Sequence, residues 1–258
     1  MRVKALTTAI LVSTGMSQAL ATDLSGQSSG FSISSTLVAS DFSLLISKVP
    51  TVGGSAPAPY SLSNSQNSFS QGTPSQAAMT TGLIFDAAAS NVDGTSGSKE
   101  TSASAYVDGA SFVLGTNVIV FSAGVVGSNL WVQGDAGTLN PAGYADFSDA
   151  SLFVFGTQYD FSTEPDPNTV MYNAGGLEII SNKQSLFGGQ SSASISITAL
   201  DITFTNFVEN GEVLNGEVQF GSSQAAMTAS PEPLGLGALG LFVLVVRRQI
   251  RRSPAIAR

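Results

Sequence analysis

Short runs of β-branched and aromatic residues constrain the fold of this chain more than any other feature. In the run "SISITALDITFTNFV" (194–208), Ile195 and Ile197 alternate with serines, and Ile202 and Phe204 alternate with polar residues. An apolar side chain at every second position is typical of a strand that buries one face against a core. The pattern therefore predicts antiparallel β-sheets.

Similar runs occupy residues 111–126, 150–156 and 212–220. Between two of the runs, "ENGE" at 209–212 predicts a hairpin turn, because Asn210 and Gly211 accept the positive φ that such a turn needs. Many short strands joined by Gly-rich turns favour a sandwich or a barrel. We therefore expect an all-β fold, an antiparallel β-sandwich or barrel-like domain over residues 22–229.

Two stretches of this domain lack the alternation. Residues 49–76 are rich in Pro, Gly and Ser, and they predict a long irregular loop. Residues 90–104 are polar and predict a turn or an exposed hairpin tip.

One hexapeptide occurs twice. "SQAAMT" stands at 75–80 and again at 223–228. The repeat indicates either an internal duplication or the convergence of two strand ends on small residues.

The composition excludes several kinds of active site. The chain of 258 residues has no cysteine and no histidine. Disulfides, thiolate nucleophiles and histidine-based triads are therefore impossible, and the usual zinc ligands are missing. Catalysis would depend on carboxylates, lysine or tyrosine, and no catalytic motif is present. We expect a protein without enzymatic activity.

The charges are distributed unevenly along the chain. Residues 22–232 contain three lysines, no arginine and all 18 acidic residues, which gives this segment a formal charge of −15. Proteins that bind nucleic acid through its phosphates need clustered Lys or Arg. The charge therefore excludes nucleic acid as a partner of this segment, and it disfavours contact with anionic lipid.

The amino-terminal residues have the three parts of a secretory signal peptide. Arg2 and Lys4 form a basic region, and residues 5–12 form a short apolar core. Ala19 and Ala21 then provide the small residues of a cleavage site before residue 22. We interpret residues 1–21 as a signal peptide, with a buried first helix as the alternative.

The carboxyl end, residues 230–258, combines three features in order. Pro231, Glu232 and Pro233 precede an uncharged segment at 234–246, which predicts a single apolar helix. Thirteen helical residues span about 20 Å, which is less than the ~30 Å core of a bilayer. Four arginines follow the apolar segment, and their charge favours a cytoplasmic location for this end of the chain: Arg247, Arg248, Arg251 and Arg252.

This end resembles the PEP-CTERM sorting signal, which has a Pro-Glu-Pro motif, a short apolar helix and a terminal basic cluster. The extension "SPAIAR" after the arginines is longer than the usual tail. The resemblance implies that exosortase, a membrane protease or transpeptidase, cuts near the Pro-Glu-Pro motif. It also implies a Gram-negative host that makes exopolysaccharide. The alternative is an ordinary single-span anchor.

The body of the chain resembles the choice-of-anchor P family of secreted bacterial proteins. The resemblance lies in "PTVGGSAPAPYSLSN" (50–64), in "SASAYVDGASFVLG" (102–115) and in two segments near the end of the body, "ITALDITFTNF" and "GEVQFGSSQAA". It implies an exported domain that is attached to the cell by differing anchors, without a defined activity.

The densest group of acids forms a candidate calcium loop. The segment "DFSTEPDPN" provides Asp160, Glu164, Asp166 and Asn168, and calcium prefers carboxylate, amide and carbonyl oxygens. The spacing does not match an EF-hand, and solvated acids in a turn are the alternative. A second trio, Glu209, Glu212 and Glu217, flanks the predicted hairpin and indicates a charged sheet edge.

Trp131 is the single tryptophan of the chain and a candidate glycan-binding residue. With Tyr106, Tyr144 or Tyr159 it would form an aromatic platform for sugar rings, and packing in the core is the alternative. A glycosidase would need two carboxyl groups about 5–10 Å apart in a cleft.

Taken together, the sequence predicts an exported protein of the cell surface or extracellular matrix with a structural or adhesive role. Its expected partners are exosortase and exopolysaccharide, and it contacts the membrane only through the carboxyl-terminal helix before processing. The alternative function is a glycan-binding surface module, assisted by calcium if the acidic loop binds it.

Overall fold

The computed structural model describes residues 22–95 and 97–231, and in these ranges the chain forms strands and turns without any helix. Within this described part there is accordingly no helix long and apolar enough to cross a bilayer. The all-β prediction is confirmed for the body. The predicted signal peptide with Ala19 and Ala21 lies outside the described residues, as do Glu232, Pro233, the apolar helix and the arginines.

Fifteen strands make up the described part of the chain. In chain order they are β1 (Thr22–Val38), β2 (Ser43–Ala56), β3 (Tyr60–Gln66), β4 (Phe69–Thr73), β5 (Ala77–Thr81), β6 (Ile84–Ser90), β7 (Lys99–Leu114), β8 (Ile119–Gly134), β9 (Asn140–Ser148), β10 (Ser151–Val154), β11 (Thr157–Asp160), β12 (Thr169–Ala174), β13 (Leu177–Gly188), β14 (Ser192–Glu209) and β15 (Glu212–Pro231).

The first sheet has six strands in the order β12-β13-β14-β15-β1-β2. The first and last strands of the body are therefore neighbours. Ser25 Oγ donates to the carbonyl oxygen of Thr228 at 3.4 Å, and Gln224 Nε2 donates to Ser29 Oγ at 2.8 Å. These two contacts show that β1 and β15 run antiparallel to each other. Residues 23 and 230 therefore lie at the same end of the domain, which we call the terminal end.

The second sheet has nine strands built on the long hairpin β7–β8. In the half nearer the terminal end, β6 and then β3 extend the sheet beside β7, and β9 pairs with β8. In the other half, β5 and β4 extend it beside β7, and β10 and β11 extend it beside β8. Neither sheet closes on itself, so the arrangement is sandwich-like rather than a barrel.

The two sheets pack face to face around one apolar core. Phe121 of β8 and Phe220 of β15 meet across the gap, with ring centroids 5.3 Å apart. Phe161, which follows β11, packs against Phe121 and against Phe147 at centroid distances of 5.8 and 4.7 Å. These aromatic contacts fill the half of the domain that lies away from the terminal end.

In the middle of the sandwich the sheets come closer together through small residues, a region that we call the waist (Gly30, Gly127, Ser128, Gly221 and Ser223). A Cβ atom on Gly221 would lie 3.0 Å from the Cα of Gly127 in the opposite sheet. The hydroxyls of Ser128 and Ser223 are 2.6 Å apart and form a buried hydrogen bond between the sheets. Larger side chains at these positions would force the sheets apart.

The hairpin prediction is confirmed, and the loop prediction for residues 49–76 is wrong. Asn210 and Gly211 connect β14 and β15 with φ values of 50° and 85°. Residues 49–76 instead continue β2 and form β3 and β4. Most side chains of β3 and β4 are exposed, so these strands carry no apolar alternation to reveal them. In the polar segment 90–104, residues 91–95 and 97–98 lie in a turn, and β7 begins at Lys99.

The interpretation of the glutamate trio as a sheet edge is also wrong. β14 and β15 are interior strands of the six-stranded sheet, flanked by β13 and β1. The two copies of "SQAAMT" lie in different sheets. Both bury the first alanine and the methionine, Ala77 and Met79 in β5 and Ala225 and Met227 in β15, and β5 buries Ala78 as well.

One carboxyl group lies inside the sandwich without full compensation. Asp86 of β6 is 0% exposed; it accepts a hydrogen bond of 2.7 Å from Ser32 Oγ at Oδ1, whereas Oδ2 has no partner. Burial raises the pKa of Asp86 to about 7, against the opposing effect of the hydrogen bonds from Ser32. The folded interior therefore favours the neutral acid.

We predict that Asp86 makes the protein less stable as the pH rises. The ordinary pKa is 3.8, so the folded state holds this proton more tightly than the unfolded state. The stability gained is complete below about pH 4 and is lost as the pH rises through about 7, a change on the order of 4 kcal/mol. Asparagine has nearly the same shape as the neutral acid, so Asp86→Asn should remove this contribution to the pH dependence of the free energy of unfolding. Urea unfolding of both proteins at about pH 4.5 and about pH 8 measures the effect, and an identical pH dependence in the two would contradict it.

Candidate functional site

The register of the nine-stranded sheet collects aromatic and polar side chains on the outward face of β6, β7, β8 and β9. Directly opposed residues of antiparallel strands point to the same face. Three rows of such residues cross the four strands: Phe85, Tyr106, Gly127 and Asp146; Ala87, Ser104, Asn129 and Tyr144; and Ala89, Ser102, Trp131 and Ala142.

Trp131 and Tyr144 form the centre of this arrangement. Their rings meet edge to face, with centroids 6.5 Å apart and planes at 75°. Asn129 Nδ2, between them in the sheet, donates to Tyr144 Oη at 3.4 Å. Both rings are half-buried, so each packs against the sheet on one side and faces solvent on the other. Trp131 thus lies on the outer surface and not in the core.

Tyr106 is held on the same face by a glycine. A Cβ atom on Gly127 would lie 2.2 Å from the Tyr106 ring, so the ring packs directly on the glycine backbone of the neighbouring strand. Phe85, next to Tyr106 in the sheet, is 37% exposed. Burial raises the pKa of the Tyr106 hydroxyl, and the nearby Tyr144 and Asp146 add to the effect. The hydroxyl therefore stays protonated and available as a donor at neutral pH.

Between these aromatic residues the sheet has a floor of small side chains. A shallow groove of about 80 Å³ runs over Ala87, Ala89, Ser102 and Ser104 and reaches Asn129. We call the whole arrangement the aromatic face; it consists of Phe85, Tyr106, Asn129, Trp131 and Tyr144 with this floor. Tyr159 is not part of it, because its ring packs against Tyr172 at 6.1 Å.

The candidate calcium loop is not assembled as a metal site. Asp160 Oδ1 accepts a hydrogen bond from Gln158 Nε2 at 3.0 Å, and Asn168 Oδ1 accepts one from the backbone N–H of Gln184 at 2.9 Å. Glu164 and Asp166 are exposed. No three acidic residues of the described ranges are placed together so that they could hold a metal ion. The segment is therefore a surface turn, in which the carboxylates are close in sequence but do not converge on one point.

A different pair of carboxylates does come together, on the outward face of the six-stranded sheet. Asp201 and Glu217 are in hydrogen-bonding contact, and Lys183 Nζ lies 3.1 Å from Asp201 and 3.9 Å from Glu217. Burial alone would raise the pKa of Asp201, but hydrogen bonds from Glu217 and Gln219 and the charge of Lys183 lower it. Burial and the contact with Asp201 raise the pKa of Glu217 to about 7.

This pair does not have the geometry of a glycosidase. Retaining enzymes separate their two carboxyl groups by about 5 Å and inverting enzymes by more. Asp201 and Glu217 touch each other, the contact favours the neutral form of Glu217, and Lys183 pairs with Asp201 at 3.1 Å. The cluster therefore fits an internally neutralised group on the sheet surface.

Comparison of the chain with protein-family models, with curated proteins and with solved structures finds no match in any of the three.

The aromatic face includes two residues that the sequence analysis did not single out, Phe85 and Asn129. They join Trp131 through strand register, and the sequence signal for that register is the alternation along β6 and β8, which is weak because many of the residues are Ala, Ser and Gly.

Proposed function

We propose that the body is the exported domain of a surface or extracellular-matrix protein with a structural or adhesive role and no catalytic activity. The adjacency of residues 23 and 230 at the terminal end supports this proposal most directly. A domain that is tethered at this one end keeps its other end and its two sheet faces free for contacts. The acidic body and the predicted signals at both ends of the chain support the same location.

The proposal includes processing at both ends. Signal peptidase would cut after Ala21, and exosortase would cut near Pro231, Glu232 and Pro233. After the second cut the apolar helix at 234–246 no longer belongs to the protein, and the body enters the envelope surface or the exopolysaccharide.

We predict that the mature protein begins at Thr22 and lacks the arginine-rich tail. Intact-mass measurement of the protein from a host that makes exosortase would show both cuts, and cell fractionation would place the product outside the cytoplasm. Replacing Pro231, Glu232 and Pro233 with alanine should leave the tail attached and the amino-terminal cut unchanged. A soluble cytoplasmic protein that retains residues 1–21 would contradict the proposal.

A second candidate function is glycan binding by the aromatic face. It is favoured by the position of Trp131 and Tyr144, which expose ring surface beside a floor of hydroxyl groups and an amide. Aromatic rings with a polar edge offer apolar area to the C–H faces of a sugar, and the hydroxyl and amide groups offer donors and acceptors to its hydroxyls. The ligand would be a segment of exopolysaccharide.

We predict that Trp131→Ala lowers the affinity for array-bound oligosaccharides at least about tenfold, a loss of about 1.4 kcal/mol. Phe155→Ala is the matched control, because Phe155 is 53% exposed and lies outside the aromatic face. Bound sugar should also shift the fluorescence of Trp131, which is the single tryptophan of the chain. EDTA should have no effect. An array without signal for the native protein, or equal affinities for Trp131→Ala and Phe155→Ala, would exclude this function.

A further inference from the structure

The outward face of the six-stranded sheet carries a row of small polar residues that crosses five strands. Ser185 of β13 is opposite Ser196 of β14, which is opposite Gln224 of β15. Gln224 donates to Ser29 of β1 at 2.8 Å, and Ser29 is opposite Gly53 of β2. Because none of these side chains is larger than glutamine, the row forms the floor of a depression in the sheet.

This depression is a groove of about 580 Å³, continued by a second depression of about 350 Å³. Ser29, Ser196 and Gln224 line both parts, so the two are continuous. We call them together the polar groove. The volume lies within the range of about 300–1,000 Å³ that is usual for ligand sites, and it is several times larger than the groove on the aromatic face.

The lining of the polar groove differs from the rest of the surface in charge. Residues 22–232 carry 18 acidic side chains, yet the residues that line the groove include no carboxylate. Lys48 is the one charged residue among them, and its Nζ lies 4.5 Å from the centre of the Phe31 ring, which also lines the groove. Gln219 lines the groove with its amide and donates hydrogen bonds to Asp201 and Glu217, which do not line it.

The remaining lining is a set of hydroxyl and amide groups that donate and accept hydrogen bonds. The serines supply one donor each and accept as well, and the glutamines supply two donors and a carbonyl oxygen. At the side of the groove, Phe187 is opposite Ser194, shares its face and is 59% exposed. Hydroxyl-rich walls with an exposed ring beside them complement a sugar chain, and Lys48 adds a partner for a uronic acid.

We propose that the polar groove is a second glycan-binding site, which takes a polysaccharide segment in extended form. The proposal rests on the proposed glycan function and extends it. The polar groove and the aromatic face lie on the outward surfaces of opposite sheets, with the core between them. One domain therefore binds two polysaccharide chains at once and cross-links them, which gives the structural role a molecular basis.

The test blocks each site separately in the full chain. Ser196→Trp places a large ring in the middle of the polar groove, and its outward orientation leaves the core intact. Gln224→Ala is a milder second variant that removes the amide shared by both parts of the groove. Ser70→Trp is the matched control, because Ser70 is exposed on β4 of the other sheet and lines neither site.

The measurements use the oligosaccharide that gives the strongest array signal with the native protein. Calorimetry should show two oligosaccharides bound per native chain and per Ser70→Trp chain, and one per chain for Ser196→Trp or for Trp131→Ala. Gln224→Ala should weaken the groove site at least about tenfold. Beads coated with the oligosaccharide should aggregate with the native protein and the control but not with either blocked variant.

One bound oligosaccharide per native chain, unchanged in Ser196→Trp and Gln224→Ala, would overturn the second site. If Trp131→Ala abolishes that single site, the proposed glycan function stands while the cross-linking role falls. If the native protein binds no oligosaccharide on the array, the glycan function and the groove site fall together.

Discussion

The rest of the structure depends on the close approach of the two sheets at the waist. Gly221 and Gly127 bring the backbones of β15 and β8 together, and Ser128 and Ser223 join the sheets by a hydrogen bond of 2.6 Å. Buried hydroxyls cost free energy unless they are paired, and here each satisfies the other. The spacing between the sheets, and hence the position of both outward faces, is fixed at this point.

Large side chains then fill the space on either side of the waist. Phe121 and Phe220 pack in one half, and Leu130 and Ile197 are fully buried in the other. The longest strands, β14 and β15 in one sheet and β7 and β8 in the other, run through both halves. Because these strands carry the aromatic face on one side of the domain and the polar groove on the other, packing at the waist links the two proposed sites to one rigid core.

The few cations of the body each have an acidic or aromatic partner. Lys99 pairs with Asp93 at 2.7 Å, Lys183 with Asp201 at 3.1 Å, and Lys48 lies over Phe31. The surface is otherwise acidic, which disfavours binding to the phosphates of nucleic acid. The buried acid Asp86 is partly compensated by Ser32 of the opposite sheet, which donates one hydrogen bond to it.

The sequence predicted the strands that bury one face and missed those that do not. Ile195, Ile197 and Phe204 alternate with polar residues, so the sequence pattern alone predicted β14 as a strand. β3 and β4 expose most of their side chains, and a strand of that kind resembles a loop in composition. The polar groove could not be predicted at all, because Ser29 and Gln224 are far apart in the chain and meet only through strand order. The acids of the candidate calcium loop behave in the opposite way, since Glu164 and Asp166 are neighbours in sequence but both are exposed and do not converge.

A cross-link at the waist tests the central claim most directly. The chain has no cysteine, so the double substitution Ser128→Cys with Ser223→Cys creates one possible intramolecular disulfide. Hydroxyl oxygens 2.6 Å apart place the two Cβ atoms within reach of that bond. The account predicts that mild oxidation removes both free thiols in the folded monomer and raises the midpoint of urea unfolding. Free thiols that persist in the folded protein, or disulfides formed only between chains, would contradict it.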